Sequence, residues 1–183
     1  SNSNLATWKT AYLPSIGLWS KVAYGNGTFV AITSNSASSA YSTNFGATWT
    51  SGTGLPSTTW SGLTYGAGIF VAVATGGTQA ARSTDGITWT SSTLPSSTTW
   101  SGVAYGNGRF VAVSSTSSKT AYSFDGVTWS ESLYIVKGTD IAYGSGIFVL
   151  CGDETSGPVN YITEDGIVWS RKTATPNMGP IVF

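Results

Sequence analysis

Ser83-Thr84-Asp85-Gly86-Ile87-Thr88-Trp89 is the stretch whose reading decides the fold, because near-copies of it recur along the chain. They are Ser42-Thr43-Asn44-Phe45-Gly46-Ala47-Thr48-Trp49, Ser123-Phe124-Asp125-Gly126-Val127-Thr128-Trp129 and Thr163-Glu164-Asp165-Gly166-Ile167-Val168-Trp169. From tryptophan to tryptophan the spacing is 89 − 49 = 40, 129 − 89 = 40 and 169 − 129 = 40. A fixed period of this length marks a repeat architecture.

Upstream of each copy lies a second repeated pattern. Trp19-Ser20-Lys21-Val22-Ala23-Tyr24-Gly25-Asn26-Gly27-Thr28-Phe29-Val30-Ala31-Ile32 places two short apolar runs around Gly-Asn-Gly. Asparagine and glycine accept the positive φ that a tight turn between twisted strands demands, so the pattern predicts a β-hairpin. It returns around Gly66-Ala67-Gly68, Gly106-Asn107-Gly108 and Gly144-Ser145-Gly146. After each hairpin comes a polar stretch predicted to be a loop (34–39, 74–79, 114–119, 152–159), then a third strand, the Asp-Gly turn and a fourth strand carrying the tryptophan.

Four strands in about forty residues is the pattern of a propeller blade, and no segment holds a helical period. The expectation is therefore an all-β chain forming one β-propeller domain, 1–183, of about four four-stranded blades: units 19–59, 60–99, 100–137 and 138–175, with terminal remnants 1–18 and 176–183. Tyr24, Tyr65, Tyr105 and Tyr143, with Phe29, Phe70, Phe110 and Phe148, are expected to fill the space between neighbouring sheets. The stretch around Trp8 reads as an orphan fourth strand and Ile181-Val182-Phe183 as an orphan first strand. These remnants are expected to close the ring within one chain, with a homo-oligomer joined through the terminal strands as the alternative.

Composition excludes several functions. Net charge is zero and no basic run occurs, so the electrostatic footprint of a nucleic-acid binder is missing. A single cysteine, Cys151, and no histidine leave neither an internal disulfide nor a zinc constellation, and no metal or cofactor is expected. Cys151 itself reads as a small buried hydrophobe late in a strand. Residues 1–20 show neither a membrane span nor a signal peptide, and the absent initiator methionine points to a processed or excised segment.

Ser-x-Asp-x-Gly-x-Thr-Trp resembles the Asp-box, or BNR repeat, of sialidases, sortilin-type receptors and many bacterial and phage surface proteins. The unit with Asn44 has the full spacing, and the other three are one residue shorter. The resemblance implies a structural box at Asn44 and Trp49, Asp85 and Trp89, Asp125 and Trp129, and Asp165 and Trp169. In each, a carboxylate or amide caps turn NH groups and the tryptophan packs into the sheets.

It also invites the question of catalysis. A sialidase needs three converging arginines, a tyrosine–glutamate nucleophile and an aspartate acid/base. Here Arg82, Arg109 and Arg171 occupy different positions within the repeat, and the glutamates are Glu131, Glu154 and Glu164. A non-enzyme is expected, a sialidase-like hydrolase fragment being the less favoured reading.

Ligand contacts are expected at the end of the propeller opposite the Asp-Gly turns. Trp19, Trp60 and Trp100, each followed by serine, offer indole faces beside hydroxyls for a sugar, or else pack between blades. Asp153 with Glu154 is an acidic pair in the most divergent loop. The reading is a glycan- or receptor-binding module of phage-tail-fibre or secreted-surface type, at a virion surface or outside the cell, without membrane insertion. The alternative is a structural propeller that binds a protein partner.

Overall fold

The computed structural model describes residues 9–134, 136–154 and 157–172, and among these it contains strands and turns but no helix. The first repeat forms an antiparallel sheet of β1 (Trp19–Gly25), β2 (Thr28–Thr33), β3 (Ser39–Ser42) and β4 (Thr50–Ser51), paired in that order. The last repeat forms another from β11 (Asp140–Gly144), β12 (Ile147–Glu154), β13 (Gly157–Thr163) and β14 (Ser170–Lys172). Between them the two central repeats share one six-stranded sheet: β5 (Trp60–Gly66), β6 (Ile69–Ser83), β7 (Thr90–Gly106), β8 (Arg109–Ser114), β9 (Thr120–Ser123) and β10 (Ser130–Glu131).

The four hairpin turns form as their residues require. Asn26, Ala67, Asn107 and Ser145 have φ of 48°, 48°, 48° and 50°, and the glycines after them 75°, 81°, 79° and 84°. Positive φ at both central positions twists the connection in the sense of the strands, which keeps Gly25 opposite Thr28 and Gly66 opposite Ile69.

Two expected loops are strands instead. Residues 74–79 continue β6, irregularly, because Thr75 and Gly77 pair with Thr99 and Thr98 on the long strand β7. Residues 152–154 and 157–159 are the arms of a hairpin in which Gly152, Asp153 and Glu154 pair with Val159, Pro158 and Gly157. In both cases a neighbouring backbone supplies the hydrogen bonds that a loop would take from water.

The repeats stack side by side through one recurrent contact. A Cβ placed on Gly25 would lie 2.0 Å from the ring of Tyr65; on Gly66, 1.9 Å from Tyr105; on Gly106, 2.1 Å from Tyr143. Each tyrosine therefore lies flat on a bare backbone of the preceding repeat, its ring 4.7–4.8 Å from the phenylalanine of its own hairpin. One turn further out, Gly86, Gly126 and Gly166 press on Val30, Val71 and Val111 of the preceding repeat in the same manner. Val30, Val71 and Val111 are wholly buried, as are Phe70, Phe110 and Phe148.

Among the described residues the series does not shut into a ring. The first strands β1, β5, β7 and β11 neighbour one another in succession, with no such contact between β1 and β11 among the described residues. Tyr24 is 51% exposed and Val22 63% exposed. Both belong to a face on which no further repeat packs among the described residues, which corrects the expectation that Tyr24 fills an inter-sheet space. Cys151 is exposed as well, not buried; its counterparts Ile32, Val73 and Val113 are covered by a following repeat that β12 lacks. Of the remnants expected to close the ring, 1–8 and 176–183 lie outside the described residues, and 9–18 form no strand.

Candidate functional site

The Asp-Gly turns share one construction. Asp85 Oδ1 accepts from the NH groups of Ile87 and Thr88, both at 2.8 Å, and from the Ser83 hydroxyl at 2.9 Å. Ser83 Oγ in turn accepts from Gly86 NH at 2.8 Å. Asp125 and Asp165 repeat this with Val127, Thr128 and Ser123, and with Ile167, Val168 and Thr163. In the first repeat Asn44 does the same work without a charge, its Oδ1 accepting from Thr48 NH at 3.0 Å and from Ser42 Oγ at 2.9 Å.

These bonds act on the carboxyl groups. For Asp85, partial burial pushes the carboxyl up. The NH groups of Thr88 and Ile87 and the Ser83 hydroxyl outweigh it, and the net shift is downward. Asp125 is held low first by Thr128 NH and Val127 NH. In Asp165 burial again opposes, and the NH groups of Val168 and Ile167, the Thr163 hydroxyl and the charge of Arg109 prevail. A carboxylate so saturated with donors is a poor proton acceptor and has one oxygen occupied, which fits a capping role.

The box tryptophans Trp89, Trp129 and Trp169 are buried at the seams between repeats, while Trp49, with no preceding repeat, is half-buried and donates from Nε1 to Gly46 O at 3.1 Å.

Trp60 and Trp100 are 1% and 0% exposed, and each indole NH donates to a carbonyl, Pro56 O and Ser96 O respectively. Neither can present a face to a sugar, which corrects their assignment as ligand contacts. They lie in the apolar clusters that join adjacent repeats. The serines after them are used the same way: Ser61 Oγ lies 2.7 Å from Trp100 O and 3.1 Å from Val73 O, and Ser101 Oγ 2.6 Å from Gly138 O and 3.1 Å from Val113 O. Trp-Ser is thus a repeat-to-repeat link, a role that its recurrence in the sequence could have signalled. Trp19 is half-buried and lines a groove of about 340 Å³ with Leu13, Val22, Ala31 and Trp49. Its partial exposure follows from its place on the unpaired first face.

The sequence reading also missed Arg109. Its Nη1 donates to Asp165 O at 2.7 Å, its guanidinium lies 5.0 Å from the Phe124 ring centre, and the neighbouring Asn107 amide donates to Glu164 O at 3.0 Å. Arg109 is therefore a bracket between the third and fourth repeats. Arg82 lies apart from it in role, lining a shallow cavity of about 220 Å³ with Ser83, Thr84 and Asp85. Among the described residues no three of His, Cys, Asp and Glu gather as a metal site would need.

The end opposite the turns is built from the connections between second and third strands. In the first repeat Thr33 Oγ1 and Ser36 Oγ are 2.6 Å apart, and Ser36 Oγ donates to Ser38 Oγ at 3.2 Å. In the third, Thr98, Ser114 and Ser117 bond one another, with Thr98 Oγ1 to Ser114 Oγ at 2.8 Å and Ser114 Oγ to Ser117 Oγ at 3.0 Å. Pairing stops at Ile32–Ser39 and Val113–Thr120 in these repeats, whereas the fourth extends beyond the equivalent Cys151–Asn160 through Gly152, Asp153 and Glu154. Asp153 and Glu154 thus stand on an arm that outruns those of the first and third repeats.

No protein-family model and no curated protein sequence matches the chain. Solved structures do. A catalytically inactive virginiamycin B lyase from Staphylococcus aureus, solved with quinupristin, aligns at a TM-score of 0.72 with 16% identity over 90% of this chain and 59% of its own. YCF48 bound to D1 peptide aligns at 0.60 with 18% identity over 86% of this chain and 54% of its own. The Niastella koreensis GH74 enzyme aligns at 0.60 with 21% identity over 81% of this chain and 23% of its own. The chain therefore spans between about a quarter and three-fifths of these proteins, and likeness at such identity speaks to architecture. Stacked antiparallel sheets, together with the likeness to these proteins, make this chain a β-propeller fold.

Proposed function

We propose that the chain is a non-catalytic recognition module of the Asp-box type, in which about four blades present the end opposite the Asp-Gly turns to a surface glycan or cell-surface receptor. The observation that carries this is the contrast between the two ends. At one, the carboxylates are consumed by backbone NH groups in three near-identical turns, which describes a structural device. At the other, the connections of the first and third repeats carry clustered hydroxyls, and that of the fourth is longer and pairs as an acidic hairpin. Hydroxyl groups already held by one another are pre-oriented, so a polar ligand meets them without an ordering cost.

Placement outside the cell or on a virion, as in phage tail fibres, fits a surface solubilised by Ser and Thr with 9% charged residues. The second reading, a scaffold that binds protein, draws on the extended paired hairpin of the fourth repeat, whose edge suits a peptide strand. A glycan array probed with the intact protein, read together with a receptor-protein panel, separates the two. Glycan binding weakened tenfold or more by replacing residues 152–159 with the short connection of the third repeat supports the first. Binding of protein alone, with no sugar retained at millimolar concentration, sinks it.

A further inference from the structure

The two end faces of the stack are the two halves of one contact that the chain makes three times internally. In Gly25–Tyr65, Gly66–Tyr105 and Gly106–Tyr143, a tyrosine of one repeat lies on a glycine of the repeat before it. Continuing the series by one step in each direction leaves a glycine without a tyrosine and a tyrosine without a glycine. Among the described residues no atom lies within 4 Å of a Cβ built on Gly144, and Tyr24 is 51% exposed.

The mismatch is not confined to this pair. Val149 is half-buried where Val30, Val71 and Val111 are wholly buried beneath the glycine of the next Asp-Gly turn. The turn with no such valine beneath it is that of the first repeat, where Gly46 meets only its own Trp49 and Phe45 stands 89% exposed. Two residues before Val149, Ile147 lines an open cavity of about 320 Å³ with Ile162 and Val168. Likewise Cys151 is exposed at a position that Trp60 and its neighbours cover on the first repeat, and Trp19 is the half-exposed counterpart of Trp60. Thr139, the counterpart of Ser61 and Ser101, reaches only the carbonyl of its own repeat, Cys151 O, and not the second carbonyl those serines find on the next one.

We propose that the occupant of both faces is a second copy of this chain, packed head to tail: Tyr24 of each copy on Gly144 of the other, with Trp19 toward Cys151 and the Phe45 turn toward Ile147 and Val149. A second copy is favoured because it brings both missing halves in the geometry the chain already uses, so the interface is continuous with one already formed. A pair closed at both seams leaves no unpaired face, whereas a contact closed at one seam would continue as a filament. The end carrying the hydroxyl loops stays open, so this association stands or falls apart from the recognition role.

Sedimentation equilibrium across the micromolar range tests it, with thiol labelling of the native Cys151 as a second readout. A mass of about twice 19.0 kDa is expected, with Cys151 labelled at least tenfold more slowly at high than at low protein concentration. Gly144→Leu puts bulk into the socket where a Cβ meets no described atom within 4 Å, and Gly144 lacks the positive φ that would make a side chain strained there. This variant should stay at 19.0 kDa with an unchanged circular-dichroism spectrum and rapid labelling. A single-chain mass at every concentration overturns the proposal; if Cys151 is nonetheless protected, the faces are covered from within the chain. A double mass that Gly144→Leu leaves intact also overturns it, because association then uses another surface.

Discussion

Replacing Gly66 by alanine tests whether the tyrosine-on-glycine contact sets the spacing between repeats. The added carbon would lie 1.9 Å from Tyr105 Cγ and 2.2 Å from Cδ1. Carbon atoms rest about 3.5–4.0 Å apart, so the ring must withdraw by roughly 1.5 Å or more. It has little room to do so, since Tyr105 is half-buried, is rooted in β7 and lies 4.8 Å from the Phe110 ring, which is wholly buried. The cost belongs at the upper end of overpacking, about 3 kcal/mol, because neither the far end of a flexible side chain nor an empty cavity absorbs the strain. For a chain of this length each kcal/mol moves Tm by about 2–4 °C, so a fall of roughly 6–12 °C is expected in calorimetry. Gly77→Ala is the control: it has no atom within 4 Å and no positive φ, and should change stability by less than about 0.5 kcal/mol. If Gly66→Ala melts with the wild type, the repeats are not spaced by this contact.

Acid stability follows from the Asp-Gly turns. Asp85, Asp125 and Asp165 are held below the ordinary value of 3.8 in the folded chain, so the unfolded chain binds more protons as pH falls. The stabilisation is complete above about pH 4, is lost as pH drops through the folded values, and without histidine the urea midpoint should be flat from about pH 5 to 7. Asp→Asn at all three positions, copying Asn44, should flatten the acid limb; an unchanged limb would place the acid-labile groups elsewhere. Arg109→Ala should cost about 1–3 kcal/mol by removing the bond to Asp165 O and the stack on Phe124. Hydrogen exchange should then quicken at residues 165–169 and not at 85–89; equal protection at both would show that the bracket carries no load.

The hairpins and the Asp-Gly turns were legible because their cause is local. Asn107-Gly108 takes its conformation from the φ those two residues accept, and Asp85 caps NH groups two and three residues ahead of it. The candidate site was legible only by elimination. Trp60 and Trp100 looked like sugar platforms as residues, yet what they touch lies on another repeat, and no local rule reports that. The same holds for residues 74–79, polar and glycine-rich in composition, which become strand because Thr98 and Thr99 run alongside.

The amino-acid sequence by itself determined the period and the register around its turns, since each rests on interactions spanning only a few residues, whereas the merging of the two central repeats into one six-stranded sheet did not show in it. Tertiary structure alone decided which of four near-identical positions are covered. Trp19, Trp60 and Trp100 share one chemistry, as do Val30 and Val149, but burial is a property of what stands beside a residue. Among the described residues the stacked neighbours stop at the first and fourth repeats, so Tyr24 and Gly144 differ from their copies only by position in the row.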